Sequence, residues 1–153
     1  MARVLVLGGG CRGRQLAAEV LGEGHAARIV TRSEGRRGEI EAVGAECFIG
    51  DPNRLGTLRG ALEGVTVACW LLATAVGPPE ELHQLHVSRL PAFLGAAVDS
   101  TMRGFVYEAP VEGARLVEDI AARNAIRAMA LVADPRDVGL WLQAARATLS
   151  LYL

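Results

Sequence analysis

Gly8, Gly10 and Gly13 fall at the spacing Gly-x-Gly-x-x-Gly, directly after the apolar run from Val4 to Leu7 and directly before an amphipathic stretch. Each glycine answers a different steric demand. The first permits a tight turn, the second lets the backbone approach a diphosphate, and the third lets the following helix pack closely on the preceding strand. A helix that begins there points its free amides and the positive end of its dipole at the loop, so the chemistry offered is anion binding. The spacing predicts that the loop, with Cys11 and Arg12 inside it, holds the pyrophosphate of a dinucleotide. A helix N-terminus also favours a reactive thiolate at Cys11. A small filler residue is the plainer reading there.

The residues that would choose the dinucleotide lie at the end of the second apolar run, Ile29-Val30-Thr31-Arg32-Ser33. A carboxylate at that place accepts hydrogen bonds from the ribose 2′-hydroxyl of NAD. None is present. Arg32, helped by Thr31, Ser33 or the nearby Arg36 and Arg37, is instead suited to the 2′-phosphate of NADP. NADP is therefore the expected cofactor, with NAD as the other reading and a solvated basic turn as the plain alternative.

These residues need a scaffold that repeats strand and helix. Short apolar runs at 3–7, 27–31, 46–49, 66–72, 104–108 and 127–132 alternate with longer amphipathic segments, the signature of β-α units on a parallel sheet buried on both faces. Six such units predict an α/β, doubly wound, Rossmann-type sheet in the order 3-2-1-4-5-6, with helices on both faces. The ligand crevice then lies at the carboxyl ends of strands one and four. The first helix is expected from near Arg12 to about Gly22–Gly24, and the second over 36–43. Two later helices are expected to open at Asp51-Pro52 and Asp134-Pro135, where aspartate caps free amides and proline fits the first turn. The segment from Glu80 to about Thr101 reads as a helix that Pro91 kinks or splits. The last helix runs to the C-terminus with Trp141, Leu149 and Tyr152 on its apolar spacing, either covering the sheet or joining two subunits of a homo-oligomer.

At 153 residues the chain fits one dinucleotide-binding domain, 1–153. Its net charge of -1, with basic and acidic residues intermixed, argues against nucleic acid or an anionic membrane as partner. Three widely spaced cysteines and no long apolar run point to a reducing cytoplasm, with no signal peptide or membrane span. All 16 basic residues are arginine. Without lysine there is no P-loop of the usual kind, no Schiff-base chemistry and no pyridoxal site.

The chain resembles the atypical short-chain dehydrogenase/reductase group, in particular NAD(P)-binding proteins similar to nucleotide-sugar epimerases and flavin reductases. The resemblance rests on Val4 to Gly13, the Gly24-His25 turn, Thr31-Arg32, Gly50-Asp51, and Gly104-Phe105-Val106-Tyr107. It implies that Asp51 lies near the adenine and that Ala73, Thr74, Ala75, Val76 and Gly77 run along the cofactor. Asp51 is equally well explained as a helix cap. The resemblance also implies a Tyr-x-x-x-Lys catalytic pair, which this sequence cannot supply: it has no lysine, and position 111, four beyond Tyr107, is valine. The glycine spacing is shorter than the group's usual Gly-x-x-Gly-x-x-Gly, and no stretch is long enough for the C-terminal substrate domain of extended members.

Tyr107 and Glu108, at the end of the fifth strand, are the weak catalytic candidates, because that position is close to where a nicotinamide ring would lie. Alternation along the strand would equally bury the tyrosine in the core. The loop 74–82 and the turn 108–113 are expected to form the substrate pocket. His83 and His86 beside Glu80 have a helical spacing open to a metal, but no distant ligand is evident and surface polarity explains them, so no metal site is expected. The functional expectation is an NADPH-dependent reductase-like domain, with a non-catalytic NADP-sensing or scaffold protein as the alternative.

Overall fold

A computed structural model describes residues 1–108 and 114–153. Six parallel strands form one sheet: β1 Arg3–Gly8, β2 Ala26–Thr31, β3 Glu46–Ile49, β4 Val67–Leu71, β5 Gly104–Glu108 and β6 Arg127–Leu131, in the order β3-β2-β1-β4-β5-β6. This is the expected Rossmann order, with each strand within a residue of its expected bounds. The strands at the middle are buried on both faces, which is why β4 and β5 are apolar along nearly their whole length.

Alternate side chains of the strands feed two separate core layers. On one face Val4, Val6, Ile29, Val67, Cys69, Leu71 and Val106 pack under α1 Gly10–Gly22, α2 Arg37–Ala42 and α6 Val138–Leu149, with Trp141 at the centre. On the other, Leu5, Leu7, Trp70, Phe105 and Tyr107 pack under the 3₁₀ segment Leu55–Leu62, α4 Leu90–Ala97 and α5 Ala114–Arg123, with the Phe93 ring in tilted contact with both Trp70 and Phe105. The connections change face between β3 and β4. That change, required when right-handed crossovers run first away from β1 and then back across it, opens the crevice between the ends of β1 and β4.

Several local expectations are corrected. The first helix starts at Gly10, two residues before Arg12, because Gly9 in the left-handed region at φ 80° serves as its N-cap. Asp51-Pro52 does not open an α-helix: Asp51 Oδ1 accepts from the amide of Asn53, closing a local turn, and the chain then takes the 3₁₀ segment. At Asp134-Pro135 the carboxylate is likewise spent on a turn, bonding the amide and guanidinium of Arg136, and α6 is capped three residues later by Asp137, which accepts from the Leu140 amide. Pro91 does split its helix. A single π turn, Leu85–Arg89, lies between α3 Pro79–Gln84 and α4, widening the backbone where the proline ring would otherwise strike the preceding carbonyl.

The C-terminal aromatic residues cover the sheet within this chain. Trp141 and Leu149 are buried in the α1–α6 layer, and the Tyr152 ring lies so close over Gly104 that a Cβ there would meet it at 2.6 Å. Its hydroxyl donates to the Arg127 carbonyl oxygen at 2.7 Å. No helix among the described residues is long and apolar enough to cross a membrane.

Candidate functional site

The glycine loop takes a shape that side chains would block. Gly8, Gly9 and Gly10 all have positive φ, at 84°, 80° and 53°. A Cβ on Gly8 would stand 2.8 Å from the Leu71 carbonyl oxygen, and one on Gly13 would stand 2.6 Å from that of Gly8. Both are backbone contacts that cannot give way. A Cβ on Gly10, by contrast, would meet nothing within 4 Å, so that side of the backbone is open, and Gly10 lines the crevice. Helix α1 then begins with no side-chain cap and no acidic residue in its first turn, leaving its first amides and dipole for an outside anion. This cradle fits a diphosphate.

A cleft of about 440 Å³ opens beside the loop, within the range of cofactor sites. Gly8, Gly9 and Gly10 form one wall, Ile29 to Arg32 at the end of β2 another, and Leu71, Leu72 and Thr74 to Val76 a third. Of the expected cofactor residues, Gly8, Gly10, Thr31, Arg32 and Thr74 line it. Asp51 lines a smaller adjoining recess with Arg32, Asn53, Leu72 and Leu82, and its amide donates to Thr57 Oγ1. Ala73 lines neither space, and Cys11 is exposed on α1 outside the lining. Thr31 also shapes the turn, accepting from the Ser33 amide at 3.2 Å.

Arg12 does something the sequence did not suggest. Its guanidinium turns inward, is only 8 % exposed, and lies over the Trp141 ring at 4.5 Å. Nη1 donates to Glu108 Oε2 at 3.3 Å and Nη2 to Thr74 Oγ1 at 2.7 Å. Arg12 therefore ties α1 to the ends of β4 and β5 and to α6, and its charge is answered by Glu108 instead of a phosphate. Glu108 is itself buried, and its Oε1 has no hydrogen-bond partner among the described residues.

Tyr107 points to the opposite face. Its ring packs beside Phe105 in the core and its hydroxyl donates to Glu118 Oε1 on α5 at 2.7 Å. Burial, and then the bond to Glu118, raise its pKa well above the ordinary phenol value. Strand alternation thus separates the two catalytic candidates onto different faces, as the pleat requires. Residues 109–113, which complete the expected turn after β5, lie outside the described residues. Among the described residues no group of three or more His, Cys, Asp or Glu side chains is placed to hold a metal.

The basic residues near β2 divide by their partners. Arg37 is committed to Glu34, with a hydrogen bond of 2.7 Å that raises the arginine pKa and lowers that of the carboxyl, and it also reaches Glu41. Arg36 donates to Glu39 at 3.1 Å. Arg32 is exposed at the cleft and makes no ion pair or hydrogen bond through its side chain among the described residues. Arg14, one residue past the third glycine, also lines the cleft and lies 3.3 Å from Glu39. Sequence reading missed Arg14 and Glu39, because the contact joins α1 to α2 across a strand and no local pattern announces it.

The fold, the crevice and the loop together define a Rossmann-type doubly wound parallel sheet. Solved structures with the same fold include vestitone reductase from alfalfa, 17 % identical with a TM-score of 0.66 over 86 % of this chain. They also include a short-chain dehydrogenase/reductase superfamily protein from Agrobacterium tumefaciens with bound NAD, 20 % identical, TM-score 0.66 over 85 % of this chain. A third is the triphenylmethane reductase of Citrobacter complexed with NADP(H), 17 % identical, TM-score 0.63 over 84 %. The chain spans about half of these proteins, 56 %, 48 % and 48 % respectively. No protein-family model matches the sequence, and no curated protein matches it.

Proposed function

We propose that the chain, acting as one domain, binds NADP(H) and presents it for hydride transfer to a planar acceptor of the flavin or quinone class. The observation that carries this reading is the bare glycine cradle opening onto a cleft whose β2 wall ends in Arg32, unpaired among the described residues. The α1 amides and Gly10 would take the pyrophosphate, Ile29, Val30 and Ile40 the adenosine side, and Arg32 the 2′-phosphate. The cofactor supplies the hydride, and a stacked acceptor ring receives it without a protein proton donor, the proton on the acceptor coming from water. That route agrees with Tyr107 being spent in the core and with the absence of lysine. The Agrobacterium and Citrobacter proteins, bound to NAD and NADP(H), support a nicotinamide dinucleotide in the same fold.

The second reading is a cofactor sensor that does no chemistry. It is favoured by Glu108, the remaining candidate acid or base, being buried against Arg12.

Calorimetric titration with NADPH and NADH tests the binding. NADPH is expected to bind more tightly, and Arg32→Ala to cost about 1.5–3 kcal/mol for NADPH, roughly 10- to 150-fold, while leaving NADH unchanged. An unaltered NADPH affinity in Arg32→Ala refutes the 2′-phosphate assignment. Steady NADPH oxidation with flavins or quinones then supports the reductase, and binding without turnover supports the sensor.

A further inference from the structure

Three arginines line the cleft, and their carboxylate partners differ. Arg32 has none among the described residues, whereas Arg14 and Arg36 converge on one oxygen, Glu39 Oε2, from 3.3 and 3.1 Å. The two come from different elements, Arg14 from α1 and Arg36 from the turn after β2, so Glu39 bridges the two sides of the cleft mouth. The other carboxylates of this region, Glu34 and Glu41, hold Arg37, which does not line the cleft.

We propose that Glu39 is a specificity-determining residue whose charge restrains the attraction of the cleft mouth for a 2′-phosphate, so that NADP(H) competes with this carboxylate for Arg14 and Arg36. The inference rests on the reading of the cleft as an NADP(H) site. Two effects of Glu39 oppose each other: it orders the two guanidinium groups, and it repels an arriving phosphate. Repulsion wins. Glu39 is about half exposed, at 49 % of its side chain, with Arg36 at 57 % and Arg14 at 22 %, and ion pairs whose carboxylate is so open to water hold their partners weakly, so little order is lost with it. The 2′-phosphate is a near-dianion with three acceptor oxygens, which engages guanidinium forks better than one carboxylate oxygen does. Once it is seated, Glu39 remains well within a Debye length of it. NADH carries no charge at that position, and its binding is untouched.

The test measures binding of NADPH, NADH and adenosine 2′,5′-bisphosphate to the purified chain and to two variants of equal charge change, Glu39→Gln and Glu41→Gln, by calorimetry at 0.15 M and 0.5 M salt. Glu39→Gln is expected to tighten NADPH and the bisphosphate by about 3- to 10-fold at the lower salt, to leave NADH within about two-fold, and to lose most of the gain at the higher salt. Glu41→Gln, acting only on Arg37, is expected to change neither dinucleotide. Weaker NADPH binding in Glu39→Gln means that the carboxylate orders the arginines and overturns the inference. Equal changes for NADPH and NADH, or the same gain in Glu41→Gln, reduce it to general charge and also overturn it, as does no change at all. A wild-type chain that binds both dinucleotides equally, or neither, removes the parent reading instead.

Discussion

Replacing Arg12 with methionine leaves the Glu108 carboxylate buried with its counter-ion gone. Arg12 supplies the ion pair at 3.3 Å, and Oε1 of Glu108 already lacks a partner among the described residues, so none of these takes over the charge. Breaking a buried pair from one side typically costs about 3–5 kcal/mol, and the lost contact over Trp141 adds about 0.5–2 kcal/mol. The Thr74 hydroxyl loses its donor too, but Thr74 is exposed and water replaces it. We take about 4 kcal/mol as the expected loss, a large part of the 5–15 kcal/mol by which such domains are stable. In a chain of this length it lowers Tm by about 8–16 °C. The double variant Arg12→Met with Glu108→Leu removes both charges and is expected to recover most of the loss, because a well-packed apolar pair replaces a buried ion pair at little or no cost. Urea unfolding of the wild type, both single variants and the double variant completes the cycle. A loss below about 1 kcal/mol in Arg12→Met, or a double variant that simply sums the single ones, refutes the buried pair as the tie between α1 and β5.

Gly13→Ala sets a Cβ 2.6 Å from the Gly8 carbonyl oxygen, so it is expected to destabilise the chain by about 1–3 kcal/mol and to abolish dinucleotide binding at concentrations where it remains folded. Normal NADPH affinity in that variant is incompatible with the cradle geometry. Burial pushes the Cys69 thiol up to about 12 from an ordinary 9.0. A raised folded-state pKa means stability that is whole below the unfolded value and is lost as pH rises towards the folded one, so stability should begin to fall above pH 9. Cys69→Ala is expected to flatten that onset, between 9 and 10, before Tyr107 begins to add its own loss above the phenol value of 10. Denaturant midpoints across that range read it directly, and an unchanged alkaline limb in Cys69→Ala shows that another group sets it.

What the sequence made legible was whatever a short window determines. The sheet order followed from six apolar runs and the handedness of crossovers. The glycine loop could be read because its steric demands fall within six residues. The Asp-Pro pairs misled for a related reason: a cap and a turn begin with the same residues, and the choice depends on where the next strand or helix must sit. At Asp134 the turn to Arg136 uses the carboxylate before α6 can, and Asp137, directly before the helix, takes the capping role.

Arg12 shows why the rest was hidden. A basic residue inside a phosphate loop invites assignment to the phosphate, and only the pleat of a strand 96 residues away decides otherwise, by sending Glu108 to the α1 face and Tyr107 to the other. Arg14, which looks like an ordinary helix-surface arginine, takes a place at the cleft that Arg12 does not, because two residues along a helix rotate the side chain by about 200°. In the proposed reading, the site would draw an anion through uncapped amides at the floor and arginines at the rim. The inward arginine fixes the angle of α1 on which that floor depends. On that reading a cofactor held by amides would tolerate changes of surface charge, whereas the choice between NADP and NAD would be left to exposed side chains whose weak pairings a single carboxylate could shift.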